Sequence, residues 1–136
     1  MRVLVDTSIL SAVYRRREAA PGATLAFAEL VDQERVVLIG AIRQETLSGV
    51  RSSGQFRKLR DRLRSFPDLP LKQRDYERAA QFHNTCAAQG VQGSSIDFLI
   101  CAAASRRRLP IYTSDPDFLR FARVLPIRIL SPDGTT

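Results

Sequence analysis

Short apolar runs recur along the chain, and stretches with helical periodicity fill the intervals between them. Val3-Leu4-Val5 is the first run. Residues 7–16 and 23–34 repeat apolar positions at helical spacing, and Pro21-Gly22 separates them. A second run occupies residues 36–39, and a helix is predicted from about Ala41 to Val50. Ser52-Ser53-Gly54 breaks the pattern before a very basic helix from about Gln55 to Ser65. Leu69-Pro70-Leu71 predicts a short third strand. Tyr76, Ala79, Ala80, His83 and Ala87 share one helical stripe, which Gly90 ends. Ser94-Ser95 offers a cap to the next helix, with Ile96, Leu99, Ile100 and Ala103 in its stripe. Residues 111–113 and 127–130 predict the last two strands, separated by a short helix from Asp115. Such alternation predicts a parallel sheet covered by helices on both faces. In sheets of that kind ligands gather beyond the carboxyl ends of the strands.

Composition narrows the class. A chain of 136 residues that is 44% apolar predicts one domain, spanning 1–136, with a sizeable core. No apolar run approaches the roughly 18 residues of a membrane span. The opening MRVLVDTSIL is broken by Asp6 and reads as a strand, not as a signal peptide. Cys86 and Cys101 lack metal-like spacing and read as reduced thiols, so a cytoplasmic protein is expected. The net charge is +7, and all but two of the 21 basic residues, Lys58 and Lys72, are arginine. Arginine forks suit phosphate oxygens, which points to a polyanionic partner.

Against that basic background the acidic residues occupy particular places. Asp6 directly follows the first strand run, Asp115 lies two residues after Thr113, and Asp97 falls in the first turn of its predicted helix. The predicted topology puts all three at one pole of the sheet. Each has a local alternative: Asp6 and Asp115 could cap helices, and Asp97 could complement a helix dipole. Glu45 could be a solvated helix residue, although it shares a stripe with Ile42 and Gly49. Converging carboxylates repel unless one takes up a proton or a cation joins them. An all-oxygen donor set suits Mg²⁺ or Mn²⁺. Zinc is poorly served, because His83 is the single histidine and reads as a packing or surface residue. The same scarcity counts against a Ser-His-Asp hydrolase, and the Ser52–Gln55 segment lacks the lysine pattern of a phosphate loop.

Four segments, VLVDTSIL (3–10), RQETLSGV (43–50), SSIDFLICAAA (94–104) and IYTSDPDF (111–118), resemble the four ordered motifs of PIN-domain ribonucleases, especially the VapC toxins of type II toxin–antitoxin pairs. The last motif is complete as Thr113, Asp115, Asp117 and Phe118. The resemblance implies a three-layer α/β/α sandwich with a five-stranded, mostly parallel sheet. It implies that Asp6, Glu45, Asp97 and Asp115 are the catalytic, metal-binding acids, with Asp117 as a further metal ligand. Thr7, Ser8 and Thr113 would orient carboxylates or water from behind. The implied activity is hydrolysis of RNA phosphodiester bonds with Mg²⁺ or Mn²⁺. The implied partners are a VapB-like antitoxin and a second copy of the chain.

The chemistry is consistent with the residues. A purely acidic pocket repels a phosphate backbone, and a divalent cation reverses that while lowering the pKa of a water. Arg15, Arg16, Arg17, Arg57, Lys58 and Arg60, with Arg62 and Arg64 on the same basic helix, are candidates for contacting RNA phosphates. Two other readings stay open from sequence: a structure-specific DNA nuclease, and a non-catalytic RNA-binding or scaffold module whose acids only hold structure.

Overall fold

The computed structural model describes residues 1–16 and 21–132. The elements run β1 (Val3–Val5), α1 (Thr7–Leu10) continuing as a π-helical turn (Ser11–Arg16), α2 (Pro21–Asp32), β2 (Val36–Val37), α3 (Gly40–Leu47), α4 (Ser53–Leu63), α5 (Gln73–Ala88), α6 (Ser95–Arg107), β3 (Ile111–Tyr112), α7 (Asp117–Ala122) and β4 (Ile129–Leu130). The sheet is parallel throughout, in the order β2-β1-β3-β4. Val3, Leu4 and Val5 are wholly buried, as expected for a central parallel strand covered on both faces. β4 is half-buried and closes one edge.

Strand order decides where a site can form. From β1 the chain crosses to β2 on one side and later to β3 on the other, so the order reverses between β1 and β3. The crevice at such a reversal opens beyond the carboxyl ends of its two strands. Those ends are followed here by Asp6 and by Thr113.

The sheet has four strands, where five were expected. The Leu69–Leu71 strand is reduced to one bridge between Leu38 and Asp68. Leu38 N–H donates to Pro67 O and Leu69 N–H to Leu38 O, and pairing goes no further. Pro67 and Pro70 flank Leu69, and neither has an N–H to extend a ladder. The predicted helix over 7–16 also changes character, turning π-helical from Ser11. The helix predicted to Val50 stops at Leu47, because Gly49 takes a φ of +86° and turns the chain.

Two arginine clusters, one around a buried carboxylate, tie the helices together. Asp75, at the start of α5, has a fully buried side chain and accepts from Arg106 and Arg107 of α6, each at 2.7 Å. Arg43 of α3 forks onto Asp68 and donates to the carbonyls of Leu63 and Phe66, fixing the end of α4. Cys86 and Cys101 are buried free thiols. His83 is exposed and meets Phe98 edge-on at 5.5 Å, in keeping with a packing role.

Candidate metal centre

Asp6 ends β1 and is buried, and burial raises its pKa above the ordinary aspartate value. Two hydroxyls oppose that shift: Ser8 and Thr113 each donate to Asp6 Oδ2 at 2.8 Å. Ser8 and Thr113 also lie 3.2 Å apart, and Ser8 Oγ accepts the Ser114 N–H. Two residues 105 positions apart are thus joined around one carboxylate, which links the ends of β1 and β3. The two hydroxyls sit where orienting groups were expected. Thr7 does not join them: its Oγ1 is buried and has no hydrogen-bond partner among the described residues.

The chain after β3 continues the network. Thr113 Oγ1 accepts the Asp115 N–H at 3.0 Å, and Asp115 Oδ1 accepts the Asp117 N–H at 2.9 Å. Asp115 therefore satisfies the first N–H of α7, as the sequence suggested, although from one residue before Pro116, which holds the N-cap position. Asp117 turns outward to an ion pair with Arg120 at 2.8 Å. Across the crevice, Asp97 Oδ2 accepts the Ser94 N–H and Ser94 Oγ accepts the Asp97 N–H, a reciprocal cap at the start of α6. Burial raises the Asp97 pKa, the Ser94 hydrogen bonds oppose it, and the charges of Asp115 and Asp117 raise it further. Asp97 thus lies within electrostatic reach of Asp115 and Asp117. Burial also pushes up the Cys101 thiol, helped by the charge of Asp97 and, less, that of Asp6.

Gly93 sets the position of Asp97. A Cβ there would lie 2.5 Å from Phe121 Cζ and 3.1 Å from Phe98 Cε2. Phe121 is fully buried between Phe98 and Phe118, with ring centroids 5.1 and 5.3 Å away, so it has nowhere to go. Gly93→Ala should cost about 1–3 kcal/mol through overpacking and disturb the Ser94–Asp97 cap. Chemical denaturation checks this; a midpoint equal to the parent's would show that the ring cluster yields.

Glu45 takes no part in this hydrogen-bond network. Glu45 is exposed on α3, which packs beside α1, and it has no hydrogen-bond or ion-pair partner among the described residues. No three His, Cys, Asp or Glu side chains converge into a ready-made metal cage among the described residues. The carboxylates are turned onto local N–H groups instead. Asp97 Oδ1 and Asp115 Oδ2 nevertheless make no hydrogen bond to described residues, which leaves one free oxygen on each side of the crevice. Asp6, Asp97 and Asp115 offer only oxygen atoms, the donor type that suits a hard divalent cation.

The basic candidates separate into groups. Arg15 donates to the carbonyls of Thr46 and Ser48, beside Lys58, whereas Arg57 and Arg60 lie on other faces of α4 and Arg60 pairs with Asp61. Arg17 and the Arg16 side chain fall outside the described residues. Arg51, which the sequence reading passed over, lies with Arg15 and Lys58, and its only sequence signal was its place just before the α4 cap.

No helix among the described residues is long and apolar enough to cross a membrane. No curated protein sequence matches the chain. Among solved structures, FitAcB from Neisseria gonorrhoeae superimposes with a TM-score of 0.73 at 20% identity, over 96% of this chain and 97% of that one. VapBC2 from Rickettsia felis, solved with a DNA fragment from its promoter, gives 0.79 at 12% identity over 96% and 98%. VapBC-5 from Mycobacterium tuberculosis, a member of the VapBC family of toxin–antitoxin systems, gives 0.69 at 19% identity over 94% and 96%. These likenesses agree in fold with the parallel sheet and its flanking helices. The PIN domain family matches residues 3–124, nearly the whole chain with all four acidic segments, and the chain belongs to that family.

Proposed function

We propose that this protein is an Mg²⁺- or Mn²⁺-dependent endoribonuclease, a single catalytic domain over residues 1–136, acting as the toxin of a VapBC-type pair in the cytoplasm. The observation that carries the reading is the network joining Asp6, Thr113 and Asp115 at the strand-order reversal, with Asp97 facing it across the crevice. The toxin–antitoxin complexes among the structural neighbours support a VapB-like antitoxin as partner. A homodimer belongs to the same reading and is checked by light scattering at micromolar concentration.

In this reading Asp6, Asp97 and Asp115 hold the cation and Asp117 assists. A bound divalent cation supplies charge neutralisation at the phosphate and a more acidic water. The Ser8 and Thr113 hydroxyls fix the Asp6 carboxylate, so it does not have to be ordered when substrate arrives. Glu45, on the neighbouring helix, completes the acidic set at longer reach. The non-catalytic reading has one observation in its favour, the local capping of Asp97 and Asp115.

The deciding experiment compares the parent with Asp97→Asn on matched RNA and DNA oligonucleotides, with Mn²⁺ and with EDTA. The amide keeps the cap acceptor and removes a charged ligand. The expected result is metal-dependent RNA cleavage by the parent and loss of most of it in a variant that folds normally. Cleavage indifferent to EDTA, or equal in both proteins, overturns the assignment, and preferential cutting of DNA moves it to the DNA nuclease reading.

A further inference from the structure

A second concavity, of about 840 Å³, lies between the π-helical turn, the α3–α4 connection and one face of α4. Arg15, Arg51, Lys58 and Arg62 line it, and no described acidic residue does. Helical periodicity explains the sorting. Gln55, Lys58, Leu59 and Arg62 stand at i, i+3, i+4 and i+7 and share a face, and buried Leu59 gives the groove an apolar floor. Arg60 and Arg64, on other faces, contact Asp61. None of the four groove cations has a carboxylate partner among the described residues.

Two of the four are held in place. Arg15 reaches the carbonyls of Thr46 at 3.5 Å and Ser48 at 3.3 Å, at the C-terminal end of α3. The Arg62 guanidinium sits 5.4 Å over the Tyr14 ring, which is itself braced edge-on against Phe27 at 5.8 Å. The N-terminus of α4 adds to the field: Ser52 and Gln55 line the groove, and the first turn of this 11-residue helix carries partial positive charge. Cations fixed on two facing walls match a single ribbon of phosphates better than they match a wide duplex. Arg15 lies nine residues beyond Asp6 on the same helical run, at most roughly 13 Å along it, since an α-helical rise is an upper bound where the run turns π-helical. One strand a few nucleotides long can therefore reach both places.

We propose that this groove holds the phosphodiester backbone of a single RNA strand a few nucleotides from the bond cleaved at the acidic pole. The identity of the strand rests on the ribonuclease reading above; the anionic character of the ligand rests on the groove alone. Arg51 and Arg62 become phosphate contacts with Arg15 and Lys58, while Tyr14 positions Arg62. Arg57 and Arg60 are left as surface charge.

The test separates binding from cleavage. A fluorescent, 2′-O-methylated 12-mer RNA, which cannot be cut, is titrated in EDTA at several salt concentrations, with fluorescence anisotropy as the readout. The groove variant is Arg51→Gln/Lys58→Gln/Arg62→Gln, and the control, with equal charge removed, is Arg57→Gln/Arg60→Gln/Arg64→Gln. Losing three phosphate contacts to a single strand lowers the salt slope by about 2, so the affinity lost between 50 and 200 mM salt shrinks by roughly 20-fold. The control should keep the parent's slope. Arg51→Gln/Lys58→Gln removes no contact within the described chain, so it repeats the test should the triple variant fail to fold. Parental binding by the groove variants, or equal losses in both sets, overturns the proposal. An acidic peptide that binds the groove when RNA does not would also overturn it, in favour of a protein partner. A parent that fails to cleave unmodified RNA in Mn²⁺, with groove-dependent binding intact, refutes the nuclease reading and leaves the groove standing as an anion site.

Discussion

Asp115→Asn should lower metal-dependent RNA cleavage by on the order of 10²–10³-fold, the size of effect that follows removal of one preorganised charge-stabilising group. The residue stands in the middle of the site network. Its N–H donates to Thr113 Oγ1, which donates in turn to Asp6, and its free Oδ2 is available to a cation. Asparagine keeps the acceptor for the Asp117 N–H, so the start of α7 should hold and the melting temperature should change little. Asp117 should behave differently. It is committed to Arg120 and is about half exposed, so Asp117→Asn should cost only about 10–100-fold, as for groups that act on a ligand from outside. Added Mn²⁺ should recover part of that loss and almost none of the Asp115→Asn loss. Cleavage rates against Mn²⁺ concentration for both variants settle the ranking; a dead Asp117→Asn beside a rescued Asp115→Asn would reverse the two roles.

The largest stability effect is expected far from that pole. Asp75→Asn should destabilise the fold by about 3 kcal/mol, at the low end for breaking a buried ion pair because both arginines retain some contact with water. For a chain of this size that is roughly 10 °C in melting temperature. The carboxylate accepts from Arg106, Arg107 and the Lys72 N–H, and losing its charge leaves two guanidiniums facing each other. The pH dependence carries a sign. Arg107, Lys72 and Arg106 hydrogen bonds outweigh burial and hold the Asp75 pKa far below its ordinary value of 3.8. Its contribution is therefore complete above the unfolded pKa of about 4 and declines as pH falls toward the folded value. The gap between parent and Asp75→Asn should be constant from neutral pH to about 5 and narrow below 4. Denaturation curves showing less than about 1 kcal/mol of difference at neutral pH, or a gap that widens in acid, would contradict this account.

The acidic pole was legible in sequence because parallel strands leave a local trace: an apolar run, then an acid or hydroxyl at its carboxyl end, as at Asp6 and Thr113. The caps at Ser94 and Asp115 were legible for the same reason, since partner and acceptor lie within three residues. The Asp75 cluster was not, because its members are 31 and 32 positions apart and only the α5–α6 packing brings them together. The sorting of the basic helix was half legible. The helical period separates Lys58 and Arg62 from Arg57 and Arg60, but the opposite wall, with Arg15 held by the end of α3, depends on tertiary structure. Glu45 shows what spacing alone leaves open: it lies three residues from Ile42, which is buried, yet is itself exposed. The third strand was misread because Leu-Pro-Leu has strand-like hydropathy, while Pro70 within it and Pro67 before it remove donors that a ladder requires.

Those prolines also bear on how copies of the chain can meet. A sheet edge with free N–H and C=O groups invites another chain to add a strand, the usual route to uncontrolled aggregation. Here one margin carries a bridge hemmed in by Pro67 and Pro70, and the opposite margin is a strand of only two residues. Neither offers the run of donors and acceptors that strand addition needs. Among the described residues, contact between copies is thereby left to side chains on the helices, where charge and shape can discriminate, and a +7 charge opposes indiscriminate association of like copies.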